Sequence, residues 1–154
     1  MTAELILDAR NATGESPVWS TTEQALYWVD IPAKRLHRWS PADGKEQSWQ
    51  ASQMLACIAQ TGNGNWIAAM ENGLFAITPH ADGSLNSRLL ASVTHALPGM
   101  RFNDGRCDRQ GRFWAGTMLM DMAAGAPVGA MYRYNAGQTE PLTAQLQGFI
   151  VPNG

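Results

Sequence analysis

The chain has 154 residues, 45% of them hydrophobic and 16% charged, and a net charge of −2. That length suits one domain, and the balance disfavours both a disordered chain and a membrane-embedded one. The 11 Lys and Arg are scattered, so there is no basic footprint for nucleic acid, and no apolar stretch is long enough to span a membrane. The first residues, Met1-Thr-Ala-Glu-Leu-Ile-Leu-Asp8, place an acid before a short apolar run, unlike a secretory signal.

In chain order, Leu26-Tyr-Trp-Val-Asp-Ile31, Trp66-Ile-Ala-Ala-Met70 and Phe113-Trp-Ala-Gly-Thr-Met118 are short aromatic-led runs that predict strands. Each follows a turn (20–24, 61–65 and 108–111) and precedes a second strand-like run (35–39, 73–77 and 130–134). A further turn closes each unit, at 41–44, 81–83 and 135–137. The markers Trp28, Trp66 and Trp114 recur after 38 and 48 residues, in the window of roughly 40–50 residues that one four-stranded propeller blade occupies. No window offers a long capped helix; the nearest, 94–97, is stopped by Pro98-Gly99.

The expected fold is therefore all-β, with about three blades. Closed propellers typically use about 4–8 blades, so residues 1–154 are expected to be the N-terminal half of a larger propeller domain. A C-terminal half or a second chain would complete it; a compact three-unit β-domain is the alternative. Cys57 and Cys107 have no metal-binding spacing and predict reduced core thiols, with the cytoplasm as the expected compartment.

Four segments combine polar function with turn chemistry. Arg101-Phe-Asn-Asp-Gly105 sets a guanidinium, an amide and a carboxylate before the strand-like run 113–118. An Asx turn accounts for Asn-Asp-Gly but not for the arginine, and in extended backbone Arg101 and Asn103 share a face. Glu15, in Gly14-Glu-Ser-Pro17, reads either as an inward carboxylate ligand or as a solvated loop acid. Asp121 follows a strand end beside a loop of small residues, facing either a pocket or solvent. Asn153 reads as a turn amide or as an oxygen donor for a hard cation. Trp19 or Trp114 could wall a sugar. His37, His80 and His95 lack zinc spacing, Ser16 lacks a nucleophile elbow, and no phosphate-binding glycine loop is present.

Gly14-Glu-Ser-Pro-Val-Trp19, Leu26–Ile31, Arg101–Gly105, Gly111-Arg-Phe-Trp-Ala-Gly-Thr-Met118 and Pro152-Asn-Gly154 together resemble the SMP-30/gluconolactonase/LRE-like family of regucalcin-like sugar lactonases. The resemblance implies a six-bladed β-propeller with one divalent cation (calcium, manganese, magnesium or zinc) at the channel mouth. It implies Glu15 and Asn153 as metal ligands, and Arg101 and Asn103 as contacts to a sugar lactone. Asp121 falls where the family often has a substrate-facing Glu. The family's catalytic Asp base has no counterpart in these residues, so this chain alone is expected to be inactive.

Three readings follow: a sugar lactonase hydrolysing lactones to aldonic acids, a calcium- or metal-binding protein without turnover, and an inactive propeller fragment acting as an interaction module. No nucleic-acid or membrane partner is expected.

Overall fold

A computed structural model describes residues 2–62 and 64–153. Met1, Asn63 of the predicted turn at 61–65, and Gly154 of the final Pro-Asn-Gly lie outside the described residues. Twelve strands form among these residues. The first sheet holds β1 (Gly14–Ser20), β2 (Ala25–Asp30), β3 (Arg35–Trp39) and β4 (Glu46–Gln50). The second holds β5 (Cys57–Gln60), β6 (Trp66–Ala69), β7 (Gly73–Pro79) and β8 (Leu85–Ser92). The third holds β9 (Met100–Cys107), β10 (Phe113–Leu119), β11 (Gly129–Tyr134) and β12 (Ala144–Phe149). Each is an antiparallel meander whose strands pair in sequence order, as in a propeller blade. The predicted runs at 26–31, 66–70 and 113–118 become β2, β6 and β10, the second strand of each blade. No helix forms at 94–97; among the described residues the one helical element is a 3-10 turn at Met122–Ala124, and no helix is long and apolar enough to cross a membrane.

Period-two alternation in the middle blade explains how the sheets stack. On β6, Trp66 and Ala68 join Tyr27, Leu36 and Trp49 of the first blade in one core. The intervening Ile67 and Ala69 join Phe102, Phe113 and Tyr132 of the third blade in another. A strand buried on both faces must be apolar throughout, which is why Trp-Ile-Ala-Ala carries no polar position. Tyr27 meets Trp66 with ring centroids 4.4 Å apart, and Phe102 meets Tyr132 edge-on at 5.7 Å. Fully burying a side chain such as Phe102 contributes about 1.5–3 kcal/mol before entropy is counted.

The innermost strands β1, β5 and β9 lie against one another. Ser16 Oγ accepts from the Ile58 amide at 2.9 Å, and Gln60 Nε2 donates to Ser20 Oγ at 3.0 Å. Advancing along β1 therefore advances along β5, so these strands run in one direction and share a leading end. Glu15 stands at that end of β1, and Arg101 stands near the start of β9.

The segment before β1 is tied to the first blade through Asp30, whose carboxylate accepts from the amides of Ala12 (3.0 Å) and Thr13 (3.1 Å). Asn11 continues the network. Its Oδ1 accepts from the Trp28 indole at 2.7 Å, and its Nδ2 lies 3.3 Å from Nε2 of the buried His37. That ring stacks on Trp28 and places Nδ1 2.7 Å from Glu46 Oε1. Cys57 is a buried free thiol, as expected of a core thiol, whereas Cys107 is exposed at the far end of β9.

Candidate functional site

Both polar words expected to form turns lie inside strands. Gly14-Glu-Ser-Pro17 opens β1, with a break in register between Glu15 and Val18 and Ser16 at φ 54°. In β9, Phe102 faces Thr117 and Gly105 faces Ala115 of β10. Asn103 and Asp104 thus share one opposing position, Gly116, which is a β-bulge. Asn, Asp and Gly suit the irregular backbone of a bulge as well as that of a turn, which is why the two look alike in sequence.

The bulge leaves Arg101 and Asn103 on one face, as alternation predicts. Arg101 Nη1 donates to the Phe102 carbonyl at 2.7 Å and to Asn103 Oδ1 at 3.1 Å. Asn103 Nδ2 donates to the carbonyl oxygen of Pro152 at 3.0 Å. The guanidinium is half-buried, and loss of hydration pulls its pKa below the usual arginine value. It has no carboxylate partner among the described residues.

Pro152 is itself buried, and its ring lies over Gly116. Asn153 follows it, exposed, with Nδ2 donating to the Val151 carbonyl at 3.4 Å. The structure therefore brings Arg101, Asn103 and the segment bearing Asn153 together.

Glu15 is exposed at the leading end of β1, across from Val29 of β2, with no hydrogen bond to the group around Arg101. Asp121 lies just past β10, where the Met120 amide donates to the Gly99 carbonyl at 3.0 Å. Its side chain is exposed and leaves the following 3-10 turn uncapped. Asp121 thus stands at the same end of the third blade as Arg101, without touching it.

Of Trp19 and Trp114, the two candidate sugar walls, Trp114 pairs with Arg106 near the far end of β9 and donates to Asp108 Oδ2 at 2.8 Å. The guanidinium groups of Arg112 and Arg133 lie 6.0 and 5.7 Å from its ring centroid. Trp114 is thus at the opposite end of the third blade from Arg101. Trp19 lies at the far end of β1, across from Leu26. The contributions of Gly116 and Pro152 were not foreseen; the available signal was a glycine in the middle of the strand run 113–118, which marks close approach of another segment.

The donors fit a hard divalent cation in kind: a carboxylate from Glu15 and an amide oxygen from Asn153, both solvent-accessible. Among the described residues no group of three His, Cys, Asp or Glu side chains converges on a point.

Four-stranded meander blades stacked face to face, with polar bulges on β1 and β9, define a β-propeller protein. Within that class the chain belongs to the SMP-30/gluconolactonase/LRE-like family, whose sequence pattern matches residues 13–154. It is 43% identical over 117 residues to a 6-deoxy-6-sulfogluconolactonase of Pseudomonas putida, covering 76% of this chain and 39% of that protein. It is 32% identical over 154 residues to a pentonolactonase of Haloferax volcanii, covering 100% of this chain and 49% of that protein. The solved structure of a calcium-binding protein, regucalcin, from Agrobacterium tumefaciens superposes with a TM-score of 0.76 at 27% identity, covering 90% of this chain and 44% of that one. The chain thus spans less than half the length of each.

Proposed function

We propose that residues 1–154 form the N-terminal half of a sugar-lactone hydrolase and carry its lactone-orienting groups. The observation that carries this reading is Arg101: a half-buried guanidinium, immobilised through Nη1, with no carboxylate among the described residues to neutralise it. Its remaining nitrogens have no protein partner among the described residues. A desolvated, unpaired cation is costly unless a ligand supplies oxygen, and a guanidinium fork matches the adjacent oxygens of a lactone or of the aldonate it yields. Relatives named as lactonases support the same substrate class.

Arg101 would bind and orient the lactone, with Asn103 holding the guanidinium in its pose. Asp121, at the same end of the third blade, would accept from a sugar hydroxyl. Glu15 and Asn153 would hold a divalent cation, which when bound supplies Lewis-acid polarisation of the lactone carbonyl. Calcium, magnesium or manganese suit these oxygens, and zinc is compatible with the carboxylate.

The test is Arg101→Ala in the natural gene product, assayed on a simple aldonolactone with cation affinity measured alongside. The expected result is a loss of kcat/KM of about 100-fold or more with cation affinity retained. Equal loss of both would remove Arg101 from the substrate site. The resemblance to a calcium-binding regucalcin favours a second reading, a cation-binding protein without turnover; tight calcium binding by the natural product with no lactone hydrolysis would select it.

A further inference from the structure

We propose that Asn103 and Gly116 are positioning residues that seat Pro152 and thereby fix where Asn153 stands. The inference rests on the reading of Asn153 as a cation ligand given above. It assigns Asn103 a task beyond substrate contact and gives Gly116 a task of its own.

Two independent contacts define the seat. From one side, Asn103 Nδ2 holds the Pro152 carbonyl at 3.0 Å, across 49 residues of sequence. From the other, the Pro152 ring occupies the space a side chain at position 116 would need. A Cβ built on Gly116 would lie 2.5 Å from Pro152 Cγ, 2.8 Å from Pro152 Cβ and 2.8 Å from Met131 Sδ. The pyrrolidine ring cannot rotate out of the way, so anything larger than glycine must push the segment off the strand. The ring also fixes its own φ, so a held carbonyl and a seated ring together fix the direction in which Asn153 departs.

The bulge makes this possible. It sets Asn103 opposite Gly116, so one irregularity delivers both the amide and the glycine to the same proline. Asn103 Oδ1 is meanwhile engaged by Arg101 at 3.1 Å. A single amide thus joins the proposed lactone-orienting guanidinium to the segment carrying the proposed cation ligand, using one acceptor and one donor position of its side chain. A residue that only touched substrate would need neither the contact to Pro152 nor a glycine behind it.

The experiment compares Asn103→Ala, Gly116→Ala, Arg101→Ala and Asn153→Ala in the natural gene product. Affinity for manganese alone is measured by calorimetry without lactone, and hydrogen exchange of the segment 149–153 is followed in cation-free protein. Asn103→Ala and Gly116→Ala are expected to weaken manganese binding by about 10–100-fold, the range for residues that orient a ligand from behind. Both should speed exchange at 149–153 while β9 and β10 stay protected; Arg101→Ala should retain manganese affinity. If Gly116→Ala does not fold, Asn103→Ser takes its place. Loss of manganese in Asn153→Ala, with affinity and exchange unchanged in both positioning variants, overturns the inference. If Asn153→Ala itself keeps its manganese, the ligand reading fails instead, and exchange alone decides the seat: faster exchange supports it and unchanged exchange overturns it.

Discussion

Two kinds of segment in this molecule share a vocabulary of Asp, Asn, Ser and Gly and use it in opposite ways. In the outer hairpin turns the polar side chains serve their own backbone. Asp43 accepts from the Lys45 amide, Asp82 from that of Ser84, and Asp108 from those of Gln110 and Arg112. In the bulged strands β1 and β9, one side chain each reaches far along the chain: Ser16 to Ile58, 42 residues away, and Asn103 to Pro152, 49 residues away. A turn stabilises itself, whereas a bulge re-aims side chains at other elements. The difference lies in where the hydrogen bonds go, not in composition.

The two arginines test that contrast most strongly. Arg101, next to a bulge and with no carboxylate partner among the described residues, should cost about 100-fold or more in lactone turnover when replaced by Ala. Arg112 is ion-paired with Asp108 and lies near the Trp114 ring. Arg112→Ala should leave kcat/KM unchanged, and a matching loss there would erase the distinction.

Ser16→Ala comes next. It strips the buried Ile58 amide of its 2.9 Å acceptor and should lower unfolding free energy by about 1–3 kcal/mol in urea titration. A result within experimental error would mean that the link between blades at Ser16 is incidental.

Asp30 gives a smaller, pH-dependent effect. Burial alone would raise its pKa, but the amides of Thr13 and Ala12 and the Asn11 side chain outweigh it and hold the carboxyl below its usual value. The folded protein then binds this proton less readily than the unfolded chain. The resulting stability is complete above about pH 3.9 and is lost as pH falls through the depressed native value. Urea midpoints followed from about pH 6 to about pH 3 should fall less steeply in Asp30→Asn than in the parent protein; parallel slopes would dismiss the tether's role.

The smallest effect is expected for Asp108→Asn. Burial opposes ionisation of this carboxylate, yet the Trp114 indole together with the Arg112 amide and guanidinium holds its pKa far below the usual range. The substitution should lower Tm modestly without altering cation affinity, and a change in affinity would tie this turn to the site.

The repeat was legible because the second strand of each blade is aromatic and buried, as in Tyr27, Trp66 and Phe113. The fourth strands were not, since Glu46–Gln50, Leu85–Ser92 and Ala144–Phe149 present mostly exposed, weakly patterned faces. The first strands β1 and β9 were read as motifs or turns because their bulges demand turn residues, while the short, unbulged β5 carried no such mark. The pairing of Arg101 with Asn103 could be read from period two alone. The seat of Pro152 could not, because it joins residues far apart in sequence through a glycine whose only mark is the absence of a side chain.

One hydrogen on the first blade settles the protonation pattern of a ring it never touches. An indole N–H can only donate, so Asn11 must turn Oδ1 toward Trp28 and has only amide hydrogens left for His37. Nε2 of His37 is then the bare, accepting nitrogen, and the ring hydrogen sits on Nδ1 facing Glu46. These contacts select the tautomer with its hydrogen on Nδ1, which nitrogen NMR would read as a pyridine-like Nε2. Trp28→Phe removes the indole donor while Asp30 Oδ2 still accepts from Asn11 Nδ2 at 3.4 Å, so any division of the signature measures the indole's share of the control.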